Sequence, residues 1–162
     1  MKVFLDTNVW LSAAVFSGLC EELVLQCAAR DWLFSSRLIQ TEAHQVLQRK
    51  FLLAPNACEL FDASWRVAQL IADVDEPAAD NDRRLVAAAA ASGIDLFVTG
   101  DKRVLSWNKL QLTTSAMRIV SPREAWAIEA IKASILLTTG REAAITMMTK
   151  TNSGSVYWRD SA

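Results

Sequence analysis

The sequence predicts an α/β fold, a three-layer α/β/α sandwich around a central, mostly parallel sheet. Three observations carry that expectation. Short apolar runs at 3–5, 32–34, 95–99 and 118–120 read as buried strands, each closed by polar or turn-forming residues. Longer segments with apolar residues at helical spacing lie between them, and strands alternating with helices indicate parallel pairing with helices on both faces. A chain of 162 residues is also long enough to bury one full core without disulfides or a structural metal.

Taken in order, Val3 to Leu5 is the first strand. Thr7 or Asn8 can cap a short helix through Ala14, which Ser17 and Gly18 break. Residues 19–30 form the next helix, with Leu19, Leu23, Gln26 and Cys27 around its apolar stripe, and Trp32-Leu33-Phe34 is a strand ending in Ser35-Ser36. A helix from Arg37 turns Leu38, Ile39, Val46 and Leu47 inward. Pro55 opens a further helix to about Ala72, and 73–79 is an acidic, Pro-containing loop. The alanine-rich run Leu85 to Ser92 is helical with Gly93 as its stop. Asp95 to Thr99 is the clearest strand and delivers Gly100-Asp101. After a strand at Arg118 to Val120, Ser121-Pro122-Arg123-Glu124 is a capping box with Pro at the first helical position, opening a helix to Leu137.

Composition excludes several classes. Apolar residues make up 52% of the chain and 17 basic residues face 18 acidic ones, so it is neither a disordered tail nor a uniformly basic nucleic-acid coat. The three cysteines, Cys20, Cys27 and Cys58, are odd in number and form no CxxC, which points to core thiols in a reducing, cytoplasmic setting. Lys2 precedes a mostly apolar stretch to Phe16, but Asp6 and Asn8 interrupt it. No segment reaches the roughly 18 uncharged apolar residues of a membrane span.

Four acids draw attention. Asp6 and Asp101 both follow strands, at the carboxyl ends where open α/β sheets bind ligands. Asp82 starts a helix in AADNDRRLVAAAA, where capping is its plainer role, although Asp80 or Asn81 can cap instead. Glu42, in SRLIQTEAHQVL, lies three and four residues from Ile39, Leu38 and Val46 and therefore faces inward. Carboxylates converging on one point repel by several kcal/mol at an effective dielectric of about 20, so they call for a cation between them. Oxygen-only ligands without a His/Cys cluster select Mg²⁺ or Mn²⁺ over Zn²⁺.

FLDTNVWLSA, Glu42 within SRLIQTEAHQVL, DNDRRLVAAAAASGIDLFVTGDKRVL and IVSPREAW together resemble the PIN-domain family of metal-dependent ribonucleases, most of all its toxin branch from bacterial toxin–antitoxin systems. The resemblance covers roughly residues 2 to 126 and gives a nuclease domain over 1–137, leaving 138–162 as an extension. It implies that Asp6, Glu42, Asp82 and Asp101 form the catalytic, metal-binding set, with Asn8 and Thr99 in support. It also implies an RNA substrate, an antitoxin protein as partner and a homodimer. DEPAADND is shifted relative to the family's usual pattern, so Asp80 stays open as the third acid. Leu85, three residues after Asp82, favours Asp82.

Arg83, Arg84, Lys102 and Arg103 flank Asp82 and Asp101 and are candidate phosphate contacts, or else solvated charges. His44, the only histidine, points away from Glu42 and reads as solvated, which leaves no Ser-His-Asp or Cys-His scheme. Most of the six tryptophans fall on apolar faces, as core residues and not a base-stacking stripe. An Asp-nucleophile phosphatase would want an acid where Asn8 stands, and a dinucleotide fold a glycine-rich first turn. A non-catalytic module of the same fold, or a nuclease acting on single-stranded DNA, remain the alternatives. Residues 141–150 can form a last helix, followed by a polar tail.

Overall fold

The computed structural model describes residues 1–50, 56–76, 79–110 and 116–128. It is an α/β sandwich of three layers, with five parallel strands in the order β3-β2-β1-β4-β5 and helices flanking the sheet. The strands are β1 (Val3–Leu5), β2 (Leu33–Ser35), β3 (Gln69–Leu70), β4 (Leu96–Val98) and β5 (Arg118–Val120). Val3, Phe4 and Leu5 of central β1 are fully buried and pair with Leu96, Phe97 and Val98 of β4, as continuous apolar runs do in a sheet covered on both faces. On its other side β1 pairs with β2, Val3 opposite Leu33 and Phe4 opposite Phe34. The rings of Phe4 and Phe97 stack across that central pair with centroids 5.4 Å apart.

The helices are α1 (Thr7–Val15), α2 (Leu19–Ala28), α3 (Arg37–Lys50), α4 (Ala57–Trp65), α5 (Asn81–Ala91), α6 (Lys102–Ser106) and α7 (Pro122–Ala127), with a 3₁₀ turn at Trp107–Leu110. Gly18 has φ 144° and Gly93 φ 66°, so glycine supplies the left-handed backbone at the break before α2 and at the stop of α5. Ser121 and Glu124 form the expected capping box under Pro122. Trp10 and Phe61 meet edge to face at 6.0 Å where α1 packs on α4, and Cys27 is buried in the core, which pushes its thiol up to about 12. All three cysteines are free.

Four details differ from the sequence expectation. The cap of α1 is Asp6, with extended backbone, and not Thr7 or Asn8. The helix expected from Pro55 to Ala72 is the shorter α4, after which Gln69–Leu70 forms an edge strand beside β2. That strand is two residues long and exposed, so it carries no alternation to read. The capping-box helix ends at Ala127, because Ile128 takes an extended conformation; the continuation to Leu137, the 141–150 helix and the tail lie outside the described residues. His44 is not solvated: it is half-buried, its Nε2 lies 2.8 Å from Asp62 Oδ1, and its ring packs edge-on to Phe61. No single described helix is long and apolar enough to cross a membrane.

Candidate functional site

The strand order places a topological switch between β1 and β4. From β1 the chain builds outward to β2 and β3, then returns to lay β4 on the opposite side of β1. Connections therefore diverge at the carboxyl ends of β1 and β4, and the crevice they leave is where open α/β sheets hold ligands. Asp6 follows β1 directly, and Thr99-Gly100-Asp101 follows β4.

Asp6 is 4% exposed, and its carboxylate is held from three sides. Oδ1 accepts from the Thr7 backbone N–H at 2.7 Å, while Oδ2 accepts from Thr99 Oγ1 at 2.6 Å and from Asn8 Nδ2 at 2.8 Å. Asn8 also accepts the Gly100 N–H at 2.9 Å, and Thr99 Oγ1 accepts the Asp101 N–H at 3.0 Å. Asn8 and Thr99 thus clamp the end of β1 to the loop that carries Asp101. Burial pushes the Asp6 carboxyl up to about 6, against the Thr99 and Thr7 hydrogen bonds that pull it down, and the charges of Asp82 and Glu42 push it further up.

Glu42 reaches the same edge from α3. Its Oε2 accepts from Thr7 Oγ1 at 2.5 Å and its Oε1 from Asn81 Nδ2 at 2.6 Å, so one carboxylate ties α3 to the starts of α1 and α5. Thr7 and Asn81 are site residues that the sequence did not single out. The helical phase of Glu42 showed it facing inward, but partners 35 and 39 residues away leave no local signal.

Asp80 and Asp82 separate cleanly. Asp80 caps α5, accepting the Arg83 N–H at 2.9 Å; this bond, with Arg103 adding to it, holds its carboxyl below the usual range. Asp82 is thereby spared capping. Burial raises its carboxyl against the opposing pull of Arg103, and the charges of Asp80 and Asp101 raise it further. The charge of Asp82 thus bears on Asp6, and those of Asp80 and Asp101 bear on Asp82, so Asp80 shares the electrostatic neighbourhood of Glu42, Asp6, Asp82 and Asp101. Asp101 itself caps α6, accepting the Arg103 N–H on Oδ1 at 2.7 Å.

The cations divide. Arg103 pairs through one guanidinium nitrogen with Asp80, at 3.1 Å, and through the other with Asp82. Its guanidinium and that of Arg83 lie 5.7 and 5.8 Å from the centre of the largely buried Trp107 ring. Arg84 donates to the Val74 carbonyl and to Asn81 Oδ1. Lys102 is exposed and forms no ion pair among the described residues.

In kind, these donors suit a hard divalent cation: they are oxygens, and Asp82 Oδ1 and Asp101 Oδ2 accept no hydrogen bond among the described residues. In position they do not yet close around one. Among the described residues no three acidic, histidine or cysteine side chains stand together closely enough to hold a metal ion, and Arg103 occupies Asp82. No family model, curated protein or solved structure matches the chain, so the family resemblance rests on the motifs themselves.

Proposed function

We propose that this chain is a Mg²⁺- or Mn²⁺-dependent endoribonuclease of the PIN type, acting as the toxin of a cytoplasmic toxin–antitoxin pair. The observation that carries the proposal is the buried Asp6 carboxylate at the switch between β1 and β4, joined through Thr7 to Glu42 and through Thr99 to Asp101, whose cap partner Arg103 in turn pairs with Asp82. A buried carboxylate pushed up to about 6 by burial and by two further acids is costly for the fold, and costs of that kind gather at functional sites. Asp6, Glu42, Asp82 and Asp101 would hold the cation. When bound, it supplies Lewis acidity toward a phosphoryl oxygen and a more acidic water.

The chain's own residues do the positioning. Asn8 and Thr99 fix Asp6 and the Asp101 loop in one frame, and Thr7 and Asn81 fix Glu42. Arg83 and Arg103, steadied over Trp107, offer guanidinium forks matched to phosphate oxygens. His44, engaged with Asp62 and Phe61, has no part in proton transfer here. Incubating defined RNAs and single-stranded DNA with the protein, with and without Mg²⁺ or Mn²⁺, tests the proposal. Metal-dependent RNA cleavage is expected, and its absence in the Asp6→Asn variant assigns the activity to this site. Binding without cleavage would favour the non-catalytic alternative.

A further inference from the structure

Arg103 stands where a cation would have to work. Its guanidinium spans Asp80 and Asp82 and lies 5.7 Å from the centre of the Trp107 ring, and the side chain is 55% exposed. Asp80 is the cap of α5 and Asp82 is not, so the same fork holds the capping acid and the acid left free of that duty. Arg103 takes Asp82 Oδ2 and leaves Oδ1 open, but a divalent cation on that same carboxylate is repelled by the guanidinium beside it.

Resting on the nuclease reading above, we infer that Arg103 is an exchangeable counter-ion: it neutralises Asp82 in the cation-free protein, leaves when the divalent cation binds, and is then free for a substrate phosphate. Cation and phosphate-like anion thereby help each other. An anion that takes the guanidinium removes the competitor from Asp82, and by reciprocity the bound cation makes the guanidinium available to the anion. The backbone N–H of Arg103, which completes the α6 cap on Asp101, is untouched by a change of its side chain. Arg83 also lies over the Trp107 ring and is not changed by replacing Arg103.

The test is Mn²⁺ titration by calorimetry on the full-length protein and on Arg103→Gln, Arg103→Lys and Lys102→Gln, with melting curves to show that each is folded. Arg103→Gln should bind Mn²⁺ about fivefold or more tightly than the parent, in the range of ordinary linkage effects. Arg103→Lys, which keeps the charge and loses the fork, should fall between the two. Lys102→Gln removes the same formal charge one residue away from an unpaired position, and screening should hold its effect below about twofold. Sulfate, added at constant ionic strength as the phosphate-like probe, should tighten Mn²⁺ binding to the parent and leave Arg103→Gln unmoved. Equal Mn²⁺ affinity of parent and Arg103→Gln, or equal gains in Arg103→Gln and Lys102→Gln, would overturn the inference while leaving the nuclease reading intact. No Mn²⁺ binding by any variant would overturn both.

Discussion

The Asp6 carboxylate accepts three hydrogen bonds and still titrates high, because burial and two neighbouring acids outweigh them. Its folded-state value of about 6 lies above the 3.8 of an ordinary Asp. The folded protein therefore holds this proton between about pH 4 and 6 while the unfolded chain releases it, and stability falls as pH rises through that window. The loss amounts to about 3 kcal/mol at 1.36 kcal/mol per pKa unit. Asp6→Asn has no such dependence. Its amide offers one acceptor where three donors wait, so either Thr7 N–H or Asn8 Nδ2 meets an NH₂ group, and this clash is constant with pH. In chelator, Asp6→Asn should be less stable than the parent near pH 4 and recover by about 3 kcal/mol toward pH 7, as read from denaturant midpoints. Parallel stability profiles for the two proteins would sink the account of Asp6. The placement of Asp6 after a strand was legible in the sequence. Its capping of α1 was not, since the polar run Asp6-Thr7-Asn8 gives each of three residues the right chemistry.

Among the elements, α3 and α5 meet at Glu42. Glu42→Gln can keep both bonds, because its oxygen accepts from Asn81 and its NH₂ can donate to a rotated Thr7 hydroxyl. Its stability should stay within about 1 kcal/mol of the parent, while Mn²⁺ affinity and RNA cleavage fall sharply. Glu42→Ala strands both partners and should cost about 1–3 kcal/mol by chemical denaturation. At the start of α5 the two acids should behave in opposite ways. Asp80→Ala removes a cap and should cost about 1 kcal/mol, with Asp80→Asn restoring it, and neither should abolish cleavage. Asp82→Asn should abolish cleavage with little effect on melting; the reverse result would transfer the third acid to Asp80. The central strands, the inward phase of Glu42 and the capping box of α7 were legible because each is a local pattern. The two-residue strand Gln69–Leu70 and the pairing of His44 with Asp62 were not, since they depend on segments distant in the chain.

For the whole molecule, a mostly parallel sheet with four of its five strands followed from apolar runs alternating with helices, whereas the edge strand Gln69–Leu70 and the order β3-β2-β1-β4-β5 required the structure. That order is what brings the acid after β1 beside the loop after β4 that carries Asp101. A cation binding only the folded state should then stabilise it by mass action, by about 2.7 kcal/mol at a hundredfold excess over Kd. Melting temperature should rise with Mn²⁺ in the parent and much less in Asp6→Asn and Asp101→Asn, since both serve one site. The most direct measurement is cleavage of a defined RNA by the parent and by Asp6→Asn, purified side by side, in Mn²⁺ and in chelator. A nuclease centred on these acids cleaves only as the parent and only with the cation; cleavage by Asp6→Asn near the parent rate, or by the parent in chelator, would contradict it.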